Sequence, residues 1–506
     1  MQMCAGSLAL AAAGCRRSDD PAYSRGSTII VAYCCGKQVF VPSWDMEAKF
    51  LVFLPLVTED ENGELAERLA ERWAHSPDYR EWTYHLRKDI RWHDGVPVTA
   101  DDIKFTLDLL AHVPGADPFL IESTAVLDHS TVRIRYTQTT ARWDSWGVYY
   151  PKHLLENLDP KKIEEWGFWT HPVGNGPYRF VRYVADTMME FEANPDYYRG
   201  KPRVERVVLK FAGDAGVTEL LSGNVDATTY TSPALISKLA GDTRFRIYYQ
   251  IAPDIARAIY WRDDHPLFSE PRVRRALTMA INRRELLRVL NLPANIPVFD
   301  GPLTPLQLRR NQFPEPLPYD PAQARALLEA AGWRVRDQDG LRERDGREFR
   351  FTALVAGENT GAPGAEQTAV YVQDQLRRVG IRMELQVLDQ GSVLARSKNG
   401  EFEAAFLHLR HSCWWLRQYF GKDNPSGYRN SAVVKLIDRA MVISDPNELD
   451  AIYRELMERF RTDVPVTILF AHVNTFFVHR RIGGLNSPWQ TDPLEYMQDL
   501  WLEKES

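Results

Sequence analysis

Residues 84–110 read YHLRKDIRWHDGVPVTADDIKFTLDLL and carry three local signals in succession. Tyr84-His85-Leu86-Arg87 alternates apolar and polar residues, the two-residue period of a half-buried strand. His93-Asp94-Gly95 is a turn signal. Thr99 then precedes Ala100-Asp101-Asp102 and apolar residues at Ile103, Leu107 and Leu110. That is a helix N-cap with acids in the first turn, where they complement the helix dipole. A strand, a turn and a capped helix in one short span point to an α/β chain.

Outward from this segment the same alternation continues. Thr28 to Tyr33 is β-branched and uninterrupted, as in a buried strand. Residues 64–75 (ELAERLAERWAH) place Leu65, Leu69 and Trp73 at helical spacing, which predicts a helix. Residues 131–137, 178–181 and 204–211 read as strands, and Gly174-Asn175-Gly176-Pro177 as a turn. From there to residue 262 helix and strand alternate. Pro271 opens a helix predicted to run to about Leu290. Ala322 to Ala331 is a helix closed by Gly332. Phe349–Val355, Thr368–Val379 and Ile381–Leu388 form a strand–helix–strand unit, which implies a parallel crossover. Helices are expected over 432–443 and 446–461, and strands over 466–470 and 475–478.

The chain has 506 residues, 44% hydrophobic and 26% charged, with a formal charge of −6. That suits about three globular lobes and excludes a polytopic membrane protein, a fibrous repeat and long disorder. The acidic balance argues against nucleic acid as a partner, since phosphate binding needs a basic footprint. Cys4, Cys15, Cys34, Cys35 and Cys413 fit no zinc spacing, and adjacent Cys34 and Cys35 would make a strained bridge. At the N-terminus an uncharged stretch holds the apolar run Leu8 to Ala13, then Gly14-Cys15-Arg16-Arg17. The run is too short to span a bilayer and suits a signal-peptide core. Small residues ending at Cys15 resemble the bacterial lipobox, in which the cysteine is lipidated. Residues 1–15 are therefore expected to be a signal peptide ending at that cysteine, and 16–27 a linker.

Catalytic patterns are missing. The chain has no GxSxG elbow, HExxH pair, GxxxxGK[ST] loop or complete GxGxxG. His93-Asp94 is better explained as a turn than as a base and its orienter. His408 and His411, three apart, lack a third ligand at metal spacing. Asp101-Asp102 and Asp263-Asp264 are better explained as solvated caps than as a glycosidase pair. No cofactor and no metal are expected. A large α/β chain without a catalytic constellation points to ligand capture.

Several stretches in order resemble the family 5 bacterial extracellular solute-binding proteins, the peptide- and nickel-type receptors of ABC importers. They begin at LAERW (69–73) and the 84–110 segment, then run through GNGPYRF (174–180), NPDYYRGKPRVERVVLKF (194–211) and ELLSGNVDA (219–227). PRVRRALTMAINRRELL (271–287), YDPAQARALLEAAGW (319–333), QDQLRRVGIRMELQVLD (373–389) and SGYRNSAVVKLIDRA (426–440) follow. The resemblance implies a periplasmic-binding-protein type II-like fold with two large lobes and an extra smaller domain around a ligand cleft. Lobe I would comprise 28–52, 172–262 and 472–506, the extra domain 53–171, and lobe II 263–471. It also implies a monomer at the periplasmic, extracytoplasmic face of the membrane, lipid-anchored, that hands a peptide or other small polar solute to an ABC permease.

Departures bear on the ligand. Many peptide-binding members carry an acid in the C-terminal lobe that pairs with the peptide amine. The corresponding stretch here, Leu407 to Trp415, has no acid and offers Arg410 and His411. Trp261-Arg262 stands where an aromatic-Asn pair is common. Two arginines suit a carboxylate, and Trp261, Trp414 and Trp415 suit ring stacking. An oligosaccharide or anionic-metabolite receptor of the same fold is the alternative ligand class, and an envelope hydrolase the alternative activity. The residues expected to touch ligand are Tyr33, Tyr230, Trp261, Arg262, Arg410, His411, Trp414 and Trp415, with Tyr33 and Tyr230 chosen by position.

Overall fold

A computed structural model describes residues 27–33, 40, 48–59, 65–111, 121–137, 147–212, 215–228, 236, 239, 241–303, 315–336, 338–357, 364–411, 413–443, 445–485, 494 and 497–503. Residues 1–26, which hold Cys15, the expected signal peptide and nearly all of the expected linker, lie outside the described residues, as do Cys34, Cys35 and Tyr230.

A ten-stranded mixed sheet runs through the molecule. From one edge its strands are Arg382–Leu388, Arg350–Ala356, Ala404–Arg410, Phe245–Trp261, Val466–His479, Ala227–Thr228, Thr28–Tyr33, Arg206–Phe211, Met188–Ala193 and Tyr178–Val184. Thr28–Tyr33 pairs in parallel with Arg206–Phe211 and with Ala227–Thr228. A strand buried on both faces between parallel neighbours can be apolar throughout, which is why this run does not alternate. On the other side Arg350–Ala356 pairs in parallel with Arg382–Leu388 through the helix Ala365–Arg377, the expected crossover. Two long antiparallel strands, Phe245–Trp261 and Val466–His479, join the two halves. At about 3.3 Å per residue the first, 17 residues long, extends over about 55 Å.

Their ladder shifts register twice, between Ile251 and Ala256 and again between Arg257 and Ala258, and the first break is the wider. Ile251 pairs with Val473 and Ala256 with Ala471, so residues 252–255 stand opposite His472 alone. Burial follows the break. Val466 to Ala471 and Thr475 to Val478 are buried, whereas His472, Val473 and Asn474 are half-buried. Strand residues Arg246 to Ile251 are half-buried as well.

A separate four-stranded antiparallel sheet has the order Ala70–His75, Glu81–Leu86, Thr131–Tyr136, Ile121–Asp128. The predicted helix over 64–75 is a misreading. Leu65–Glu67 pairs with Val57–Glu59, and Ala70–His75 with Glu81–Leu86. Ala, Glu, Leu and Arg favour a helix locally, but hairpin pairing that sets Trp73 beside Tyr84 and His75 beside Trp82 overrides that preference. Trp82, Tyr84 and Leu86 point into the core.

The helix Ala100–Leu110 is capped as predicted. Asp102 accepts from the Thr99 backbone N–H at 2.8 Å and from the Thr99 hydroxyl at 3.1 Å. Its other oxygen accepts from the Lys152 backbone N–H at 2.9 Å, so Asp102 is a buried structural node. The single helix expected from Pro271 to Leu290 is two, Pro271–Met279 and Arg283–Val289. Asn282 ends the first and caps the second, accepting from the Glu285 N–H at 3.0 Å. Likewise 466–470 and 475–478 lie on one strand, Val466–His479, whose ladder with Phe245–Trp261 resumes on both sides of the break at His472, with Asn474 paired to Gln250.

His93 and the glycine turn explain each other. The His93 Nδ1 accepts from the Gly174 N–H at 3.2 Å, and its Nε2–H donates to the Gly176 carbonyl at 3.1 Å. Burial pushes the His93 pKa down to about 4, which keeps the ring neutral in this two-sided role. The backbone N–H groups of Asn175 and Gly176 both donate to the Val52 carbonyl, at 2.9 and 2.8 Å. A Cβ at Gly174 or Gly176 would collide with the Val52 backbone. HDG and GNGP are therefore scaffold, one strapped to the other.

Candidate ligand-binding site

The uncovered middle of the two long strands is bordered by the end of strand Ala404–Arg410. Arg410 is the Cα partner of Ile255, and His408 of Arg257. Alternation along the strand puts His408 and Arg410 on one face. The His408 ring lies 4.6 Å from that of His472, with the planes at 59°. The Arg257 Nε donates to the His472 Nδ1 at 3.2 Å. A guanidinium has no acceptor, so Nδ1 must accept, and the His472 proton sits on Nε2. That Nε2–H donates to the Asn474 Oδ1 at 3.0 Å, and the Asn474 amide to the Gln250 Oε1 at 3.0 Å. A polar chain thus runs across both long strands at the break.

Two guanidiniums act on the paired histidines. Burial, then the Arg257 and Arg410 charges, push the His472 pKa down to about 3. The same causes, with His472 itself, hold His408 well below the ordinary imidazole value. Both rings are neutral at pH 7. The charges described as acting on both imidazoles are the guanidiniums of Arg257 and Arg410; the side chains of Pro253 and Asp254, in the break itself, are not described.

The Arg410 guanidinium lies over the Trp415 ring, 5.4 Å from its centroid. Trp415 stacks on Tyr419 at 5.8 Å and 20°, and Tyr419 abuts Tyr260 at 5.3 Å. This places an aromatic shelf beside the cationic chain.

Of the residues expected to touch ligand, Arg410 and Trp415 are brought together here. Trp261 is not: it is 0% exposed, its indole N–H donates to the Thr467 hydroxyl at 2.9 Å, and it packs on Phe268 and Phe351. As a core side chain it has no surface for stacking on a ligand. His411 is 1% exposed, with its Nδ1–H donating to the Pro302 carbonyl at 2.7 Å and its ring beside Phe299. It too lies inside. Burial explains both corrections: the sequence carries the residue type but not the side of the sheet it faces. Arg262 pairs with Asp264 at 2.8 Å and reaches the Gly400 carbonyl. Tyr33 is buried at the end of its strand. The Trp414 side chain and Tyr230 lie outside the described residues. His408 and His411, considered above as a metal pair, sit on and just after a strand with their rings engaged elsewhere. No group of three potential metal ligands occurs among the described residues.

Sequence reasoning missed Arg257, His472, Asn474 and Gln250. One signal was present. In VTILFAHVNTFFVH (466–479) His472 and Asn474, two apart, interrupt the mostly apolar centre of a strand, so they share one face.

Residues 64–424 match the bacterial extracellular solute-binding proteins, family 5. The chain is 26% identical over 491 residues to the oligopeptide-binding protein AppA of Bacillus subtilis, covering 91% of this chain and 88% of that protein. The structure of Bacillus subtilis AppA in complex with a nonapeptide superposes with a TM-score of 0.73 at 22% identity, over 95% of this chain and 99% of that one. NikZ from Campylobacter jejuni, in complex with Ni(L-His), superposes with a TM-score of 0.77 at 23% identity, over 94% of this chain and 99% of that one. The fold is therefore that of a type II periplasmic-binding protein, a class that captures solutes. The chain belongs to the family 5 bacterial extracellular solute-binding proteins.

Proposed function

We propose that the chain is the receptor of an ABC importer that captures a peptide or peptide-like small solute and delivers it to a permease without chemical change. Its membership of a solute-binding family carries this reading. Named relatives bind oligopeptides, and one structural neighbour holds a nickel–histidine complex. The cleft floor is the uncovered centre of the long-strand pair. Lobe I is taken as 28–52, 172–262 and 472–506, the extra domain as 53–171 and lobe II as 263–471. The long strands then connect the lobes, and the break at residues 252–255 lies where they would hinge. Ligand that binds the closed form better drives closure by that difference in affinity. Lipidation at Cys15 would hold a monomer at the extracytoplasmic face.

The test is a thermal-shift screen against di- to pentapeptides, N-acetylated peptides, oligosaccharides, dicarboxylates and nickel with L-histidine. Ligand at 100 times its dissociation constant adds about 2.7 kcal/mol. For one cooperative unit of 506 residues that is about 2–3 °C. Stabilisation by peptides supports the reading. No shift with any compound, or turnover of a labelled peptide, removes it.

A further inference from the structure

The polar chain at the break does more than cross it. Ladder pairing between the long strands stops at Ile251 with Val473 and resumes at Ala256 with Ala471. The side chains bridge that gap. Their path starts at Arg257, beyond the break on strand Phe245–Trp261, and passes through His472 and Asn474 on strand Val466–His479. It returns to the first strand at Gln250, before the break, where Gln250 and Asn474 are also Cα partners. Each bond orients the next. The guanidinium can only donate, so the His472 Nδ1 accepts and its Nε2 carries the proton. The Asn474 Oδ1 then accepts, which leaves the Asn474 amide to donate to the Gln250 Oε1. At 3.2, 3.0 and 3.0 Å all three contacts are of hydrogen-bond length. His472, Asn474 and Gln250 are half-buried, and bonds arranged in a row polarise and strengthen one another. Side chains therefore tie the two stretches of one strand together where its backbone ladder is interrupted.

We propose, on the basis of the two-lobed receptor read above, that Arg257, His472, Asn474 and Gln250 form a latch on the hinge that holds the lobes at one angle. A pair of strands bends most easily where its ladder is interrupted, and residues 252–255 are that place. A directed run of three bonds across it resists the bend. Any change of lobe angle must strain or break the run, so its strength enters the equilibrium between lobe arrangements that ligand shifts. Asn474 and Gln250 act through the hinge and need touch no ligand; they are positioning residues.

The test is hydrogen exchange of the full chain, read by mass spectrometry without added ligand. In Gln250→Leu and in Asn474→Ala the amides of 247–251 and 472–475 should exchange about fivefold faster, the opening that one hydrogen bond restrains. Strand Arg206–Phe211, away from the hinge, should exchange as in the wild type. Gln250→Glu keeps an acceptor for the Asn474 amide and should stay within twofold of the wild type. The double variant should match Asn474→Ala within twofold, because both changes remove the same bond. Lobe motion is read separately, from spin labels on unnatural residues at exposed Ala185 and Ala395, one on each lobe. Their distance distribution should be broader in Gln250→Leu than in Gln250→Glu. Both latch positions are half-buried, so the variants are expected to fold; should Asn474→Ala not fold, the Gln250 pair carries the test. Unchanged exchange at the hinge overturns the latch, as do equal effects of Gln250→Leu and Gln250→Glu. Faster exchange with an unchanged distance distribution also overturns it, since that is local fraying without lobe motion. None of these readouts uses ligand, so the latch can fail while the receptor function stands, and the ligand screen alone decides the latter.

Discussion

His411→Phe separates a structural histidine from a ligand-binding one. His411 is 1% exposed, and burial holds its pKa at about 4, against the ordinary 6.5. The folded value lies below the unfolded one, so the unfolded chain takes up the proton first. The stability this site contributes is therefore fully present above pH 6.5. It is lost as pH falls from 6.5 toward 4, and the loss is complete below that. For those two pKa values the loss is about 0.2 kcal/mol at pH 7 and about 2 kcal/mol at pH 5. Phenylalanine keeps the contact with Phe299 and cannot titrate. At pH 7 the variant should be less stable by about 1 kcal/mol, for the hydrogen bond to the Pro302 carbonyl. At pH 5 the difference should move about 2 kcal/mol in the variant's favour, making it the more stable protein. Urea unfolding of both chains at the two pH values measures this, with ligand affinity at pH 7 as a second readout. An unchanged stability difference between pH 7 and pH 5 would refute the buried, depressed imidazole. A tenfold loss of affinity at pH 7 would return His411 to the ligand.

Gly176→Ala should destabilise the chain by about 3 kcal/mol, because the new methyl meets only backbone, at Leu51 and Val52; thermal unfolding checks it, and a loss below about 0.5 kcal/mol would mean that the strap yields easily. Arg274→Met should cost about 3–5 kcal/mol by leaving the buried Asp263 carboxylate, now 2.9 Å from the guanidinium, without its counter-charge. Adding Asp263→Asn should recover much of that loss in the same unfolding assay, and a double variant no better than the single one would contradict the charge explanation.

Legibility in the sequence tracked the range of the interaction involved. The helix Pro321–Ala330 was readable because its signals are local: Asp320 accepts from the Gln323 N–H at 2.8 Å, and Gly332 takes a φ of 84° just past its end. The capping box at Thr99 and the parallel crossover between residues 350 and 388 were readable for the same reason. The ordered motifs from 69 to 440 carried the family, because each encodes a turn or cap that needs its own residues. Residues 64–75 failed because their local preference and their hairpin partner disagree, and the partner lies outside any helical window. Trp261 and Arg410 look equally plausible as cleft residues in one dimension, yet only the second reaches solvent.

What the sequence by itself determined was the α/β class, the collinear motifs of a solute-binding protein and the absence of an acid between Leu407 and Trp415. Tertiary structure alone decided which polar groups meet. His408 and His472 meet because their strands, Ala404–Arg410 and Val466–His479, flank the same strand Phe245–Trp261, whose residues 252–255 face a single partner. Side-chain chemistry is written residue by residue, but burial and unpaired donors belong to the packed sheet, where neighbours along the chain no longer determine neighbours in space.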